Sequence, residues 1–203
     1  MKSFTIVAAV LLGAVNGLPA PVPPGIPSSS TAKTQLAGLT VKPYVDDGSY
    51  DRDLFPQWDT INGSCNTREF VLKRDGINVQ TNSACTATSG SWTSPFDGGV
   101  WTAASDLDID HMVPLKDAWV SGASAWTTAK RRQFANDISS PELWAVTDDV
   151  NQDKGDKSPD KWKPPLKSFY CTYARSWVQV KSTWKLSVTA AEKTALTDML
   201  DTC

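Results

Sequence analysis

DLDIDHMVPLKDAW (residues 106–119) and LWAVTDDVNQDKGDKSPDKWKPP (residues 143–165) are the two ends of the stretch that decides how this chain folds. In the first, apolar and acidic residues alternate. That period of two predicts a strand with Leu107 and Ile109 on one face and Asp106, Asp108 and Asp110 on the other. Met112–Val113 extend the apolar pattern until Pro114 stops it. His111, the single histidine of the chain, falls at or past the strand's end, directly after Asp110. An imidazole titrates near neutrality and can take a proton from water. Carboxylates crowded on one face repel one another, and hard divalent cations with oxygen ligands relieve that repulsion. Asp110–His111 therefore sets a metal ligand beside a general base.

The second end supplies the partner. Leu143–Thr147 is apolar and β-prone and reads as a strand. Asp148–Asp149 offer N-caps for a helix that follows. Asn151 gives a neutral amide oxygen as a second ligand. Lys154 comes one turn later on the same face and can hold a phosphate as a point charge. Strand, long connection, strand and helix, with base and ligands facing one another, suit phosphodiester hydrolysis with a metal stabilising the phosphate and the leaving oxygen. Plainer readings exist for each part. Taken alone, the three acids are better explained as a solvated strand face. Lys154, Lys157, Lys161, Lys163 and Lys167 fit a wet helix face. A calcium loop starting at Asp106 fails, because His111 stands at its glycine position and Asp117 at its final glutamate position. The ordered combination carries the functional reading.

DIDHMVPL followed by N-x-x-K-G-D resembles the HNH, or ββα-metal, nuclease motif. DHxVP with a downstream Asn is also the pattern of the HNH domain in CRISPR effector nucleases. The wider string includes TREFVLKRDG, SGSWTSPFDGG, AWVSGASAW, RRQFAND and LWAVT. It is similar to secreted HNH-like nucleases of bacteria and fungi that share a domain with the GmrSD restriction endonucleases, over roughly Leu36 to Cys203. The resemblance implies His111 as general base and Asp110 and Asn151 as catalytic metal ligands. It also places Lys154 near substrate. Arg52 and Arg68 match recurring arginines of the family near the site. Salt bridges with neighbouring acids account for these two equally well. The chain departs from the HNH name in having no second or third histidine. An Asp/Asn oxygen site favours magnesium, with manganese or calcium also compatible, over zinc.

Outward from the motif, composition bounds the class. The chain has 203 residues, 40% of them hydrophobic, with nine Trp and a net charge of −2. That is enough for one domain with its own core. A globally basic nucleic-acid binder is excluded, so contact with a phosphate backbone must be local. Residues 1–17 read as a secretory signal peptide: Lys2, then the apolar run Phe4–Val15, too short to span a membrane. Cleavage is expected after Gly17, with Ala20 as the second option. Residues 18–34 are dense in Pro, Ser and Thr and read as an extended linker or short propeptide. Residues 35–203 form the expected domain, with 106–165 as its core motif. The fold class expected is α+β: a ββα unit with added N-terminal strands and C-terminal helices.

Within that domain, Leu36–Val41 suits a short strand or helix. Thr67–Arg74 reads as a helix capped by Thr67. Ile77–Gln80, Thr86–Thr93 and Val100–Ala103 read as short strands. Leu115–Val120 and Thr127–Asn136 read as helices. In the latter, Lys130, Arg131 and Arg132 form a basic cluster, for which a phosphate track and a solvated face weigh evenly. Ser168–Trp184 and a last helix capped by Thr189 and Glu192 are structural. Four cysteines in a secreted chain imply two disulfides. Three pairings are open, and proximity favours Cys65–Cys85 and Cys171–Cys203. No CxxC supports a zinc site. Asn62-Gly63-Ser64 is an N-glycosylation sequon.

The function expected is a secreted, metal-dependent, non-specific endonuclease, monomeric, acting on DNA, with RNA as the second choice. It would have no membrane association once the signal is removed. The competing class is a secreted effector or binding module on an inactive nuclease fold, using the many Trp residues. A glycosidase using Asp108 and Asp110 leaves His111 and Asn151 without a role.

Overall fold

The computed structural model describes residues 21–203; the expected signal peptide and the first residues after it lie outside them. In chain order the elements are helix α1 (Ser29–Gly38), strands β1 (Thr60–Asn62) and β2 (Cys65–Asn66), and helix α2 (Thr67–Asp75). Strands β3 (Ile77–Thr81), β4 (Ala87–Thr93), β5 (Val100–Trp101) and β6 (Leu107–His111) follow. Then come helices α3 (Leu115–Val120) and α4 (Thr128–Ala135), strand β7 (Leu143–Thr147) and helix α5 (Asp148–Lys154). Helices α6 (Tyr170–Trp184) and α7 (Ala190–Leu200) close the chain. No described helix is long and apolar enough to cross a membrane.

The centre is the antiparallel ribbon of β6 and β7, paired in unbroken register from Leu107 opposite Thr147 to His111 opposite Leu143. All five residues of β7 are buried, because the ribbon has a core on each face. Leu143 and Ala145 join Leu107 and Ile109 of β6 in a small core with Val71 and Leu72 of α2 and Trp92 of β4. Trp92 donates its indole N–H to the Leu72 carbonyl, so its polar edge is satisfied inside. Trp144 and Val146 point the other way, into a larger core built by α1, α3, α4, α6 and α7. The period of two thus divides β7 between two clusters. In β6 the residues alternating with Leu107 and Ile109 are acids, and they face α5.

The other strands form a β3–β4–β5 meander and a β1–β2 hairpin, all antiparallel. Two disulfides, Cys65–Cys85 and Cys171–Cys203, are present. The first ties β2 to the loop before β4. The second ties the start of α6 to the residue after α7. The molecule is a single mixed α and β domain.

Several local expectations change. α2 is capped by Asn66, whose side chain accepts from the Glu69 N–H, and Thr67 is already helical. α5 begins after Thr147, with Asp148 and Asp149 inside its first turn instead of at the cap. There they face the positive end of the helix dipole. The capping box of Thr189 and Glu192 is formed. The largest change is N-terminal. Residues 21–34, part of the segment expected as an extended linker or short propeptide, are packed on the domain. Ala32 and Leu36 of α1 are buried in the large core, and the Pro27 carbonyl accepts from Arg175 of α6. Proline density marked the extended approach, but not the amphipathic turns after it, where Ser28 caps the helix.

Candidate active site

β6 and α5 present their polar faces to each other, and each side chain there has a defined partner. Asn151 and Lys154 lie one turn apart on α5. Asn151 Nδ2 donates to Asp108 Oδ2 at 3.0 Å. That bond fixes which end of the amide is which and leaves Oδ1 free of it. Lys154 Nζ donates to both oxygens of Asp110, at 2.6 and 2.8 Å, and to the His111 carbonyl at 2.7 Å. All three ammonium hydrogens are used. With 0% of Lys154 exposed, the expected phosphate contact is ruled out. Lys154 instead braces the end of β6 and neutralises Asp110. Helical spacing put it on the face of Asn151, and that face looks inward.

His111 is 6% exposed. Its Nε2 lies 3.0 Å from the Ala135 carbonyl. A carbonyl only accepts, so the proton sits on Nε2 and Nδ1 carries the free lone pair. Burial pushes the imidazole down to about 3, with Arg52 and Lys154 adding to the effect. The ring is therefore neutral at physiological pH, with its Nδ1 lone pair unprotonated. Asp110 is shifted the opposite way: burial lifts it to about 6, against the pull of Lys154. Asp108 is raised by burial and by neighbouring Asp148, and is lowered by the Asn151 bond. Asp106 is exposed and belongs to a short 3-10 turn before β6, outside this group.

Asp110, His111 and Asn151 line one cleft of about 200 Å³, together with Arg52, Gln152, Gly155 and Asp156. Arg52 is exposed and its guanidinium donates to Gln57. Arg68 lies behind the strand, donating to the Ala104 and Leu107 carbonyls while 31% of its side chain stays exposed. Arg131 does not fit a phosphate track. It is 7% exposed and its guanidinium binds the Leu54, Ala123 and Trp126 carbonyls. The basic triplet of α4 is split, because Arg132 pairs with Asp59 and Lys130 lies over Trp126.

Three neighbours of the site gave no signal in the sequence. Trp58 stacks on His111, with ring centroids 6.1 Å apart and planes at 28°. Asn136 follows Ala135 and spends its amide on Pro56, Asp59, Thr67 and Arg132. Glu142 holds the turn after β6: its Oε2 accepts from Val113 N and its carbonyl from Met112 N. Burial lifts the Glu142 carboxyl well above its usual range. Each lies far along the chain from the motif it supports, so no spacing rule reaches it.

A cation could be held only sparingly. Among the described residues no group of three or more His, Cys, Asp or Glu side chains is arranged as a metal centre. Asp110 and Asn151 offer a cation one carboxylate and one amide oxygen. Each Asp110 oxygen accepts one bond from Lys154 and keeps a lone pair. Such an all-oxygen pair fits a hard cation that keeps most of its own water, as magnesium does.

A family model described as GmrSD restriction endonucleases, C-terminal domain, matches residues 61–199. A relative from Arthroderma benhamiae, called an uncharacterized secreted protein, is 60% identical over 202 residues, covering 98% of this chain and 99% of its own length. No solved structure matches the chain.

Proposed function

We propose, from the premise that the chain belongs to the family of GmrSD restriction endonuclease C-terminal domains, that it is a secreted endonuclease with an HNH-type site. Its substrate would be DNA first and RNA second. One observation carries the reading. The single histidine is held neutral, with its proton committed to a backbone carbonyl, in the same cleft as Asp110 and Asn151.

His111 Nδ1 accepts a proton from water, and the resulting hydroxide oxygen attacks phosphorus. The new P–O bond forms as the bond to the leaving ester oxygen breaks, and that oxygen departs with the electron pair. Asp110 and Asn151 Oδ1 would hold a divalent cation, magnesium before manganese or calcium, which supplies charge neutralisation at the phosphate and leaving oxygen. Asp108 keeps the Asn151 amide turned so that its oxygen is free. Arg52, the cationic side chain lining the cleft, contacts a neighbouring phosphate. Arg68 holds the strand that carries the acids. Among the described residues no helix–turn–helix or zinc finger accompanies the site, which suits cleavage with little sequence preference. Asn62 is exposed at the β1–β2 turn and would carry an N-linked glycan, read as a mass shift on endoglycosidase treatment.

The test is degradation of plasmid DNA and of RNA by the purified protein. It is run with magnesium, manganese, calcium or EDTA, beside His111→Ala. The expected result is cation-dependent cleavage that falls by about 10²–10⁴-fold in the variant. A folded protein that cleaves neither substrate with any cation overturns the reading and leaves a binding module.

A further inference from the structure

A general base is useful only if its lone pair is aimed. The Ala135 carbonyl fixes one atom of the His111 ring, Nε2. One hydrogen bond fixes a point and leaves the ring free to tilt about it. The second restraint is a surface: the indole of Trp58, stacked at 28° on the imidazole. We propose that Trp58 is the positioning residue of His111, and that Asn136 locks it in place from the end of α4. This rests on the reading of His111 as the general base.

The backbone argues that Trp58 is placed there under constraint. Its φ is +60°, in the left-handed region that bulky side chains avoid. Such a conformation persists only where surrounding bonds enforce it. Asn136 supplies them. It is 9% exposed and makes four hydrogen bonds, two of them astride Trp58. Its Nδ2 donates to the Pro56 carbonyl and its Oδ1 accepts from the Asp59 N–H, both at 2.9 Å. The other two tie it to Thr67 Oγ1 at 2.7 Å and the Arg132 carbonyl at 2.9 Å. Arg132 also pairs with the Asp59 carboxylate. The segment Pro56–Asp59 is thus pinned on both sides of the strained residue. The two residues that restrain the imidazole, one directly and one through Trp58, are consecutive: Ala135 and Asn136. The end of α4 therefore sets both the edge and the plane of the ring.

The chain has one histidine, so imidazole NMR signals of the whole protein report His111 alone. The wild type should show the Nε2–H tautomer and ring protons shifted upfield by the indole above them. In Trp58→Ala the upfield shift should vanish and the tautomers should mix. kcat on plasmid DNA should fall about 10–100-fold, with KM changed less than about threefold. Trp58→Phe, which keeps an aromatic face, should restore most of both signals and rate, and circular dichroism should show both variants folded. Imidazole signals and kcat unchanged in Trp58→Ala would overturn the proposal. A raised KM with kcat retained would overturn it too, making Trp58 a nucleotide contact. If Trp58→Ala disturbs the imidazole while His111→Ala still cleaves, the positioning role stands and the general-base reading fails.

Discussion

At the scale of single residues, the site is governed by what burial does to opposite charges. Asp110 is lifted to about 6 and His111 lowered to about 3. His111 is already neutral above pH 3, so it does not set the acid limb of the rate. On the proposed reading Asp110 would set it: below about pH 6 a proton would compete with the cation for its oxygens. At limiting magnesium, cleavage should fall as pH drops through about 6, and the limb should move to lower pH as magnesium is raised. A pH–rate profile at two magnesium concentrations checks this; a limb that ignores magnesium refutes it. Lys154→Met strands the Asp110 carboxylate in the interior. At pH 7 it should cost about 3–5 kcal/mol in urea unfolding, and less at pH 5, where Asp110 can be protonated. A surface phosphate contact would show neither effect. That Asp110, His111 and Asn151 share one cleft was legible because their order and spacing repeat a chemical pattern. Lys154 was misread because periodicity says which residues share a face, not whether that face meets water. Trp58 and Asn136 were illegible because their roles arise from contacts across the fold.

At the scale of elements, strong patterns were legible and boundaries less so. Leu107–His111 and Leu143–Thr147 announced themselves as strands, one by alternation and one as an apolar run buried on both faces. Helix starts were misplaced by a residue or so at α2 and α5, where several cap-forming residues stand in a row and only the hydrogen bond selects one. The end of α5 is set by Gly155, with φ +51° and ψ −129°, a region open essentially to glycine. An added Cβ would meet only ordinary contacts there, the nearest being the Gln152 carbonyl at 3.6 Å, so the penalty is conformational and not steric. Gly155→Ala should therefore destabilise by about 1–3 kcal/mol. It should also depress cleavage, because the strained residue follows Lys154, which braces Asp110. Urea unfolding and kcat measured together check both; a variant as stable and active as wild type would show that α5 tolerates another ending.

At the scale of the whole molecule, the α+β class and both disulfides could be read in advance, while the role of the N-terminal segment could not. Proline content suggested a strand of linker, yet α1 fills the large core beside α6 and α7, and Lys33 reaches Asp201 at 2.8 Å. Removing residues up to Gly38 should expose that core and lower the melting temperature. An unchanged melting curve would restore the linker reading. The ribbon of β6 and β7 has a further consequence, because it is seated in two cores of unequal size. The smaller one, stapled by Cys65–Cys85, contains little of the helical mass, so its opening would scarcely register in circular dichroism. Yet it grips one whole face of the strands that carry the acids and the imidazole. Heat or reductant should therefore silence the protein before the spectrum changes. A preparation judged intact by its helix signal could already be an inert one.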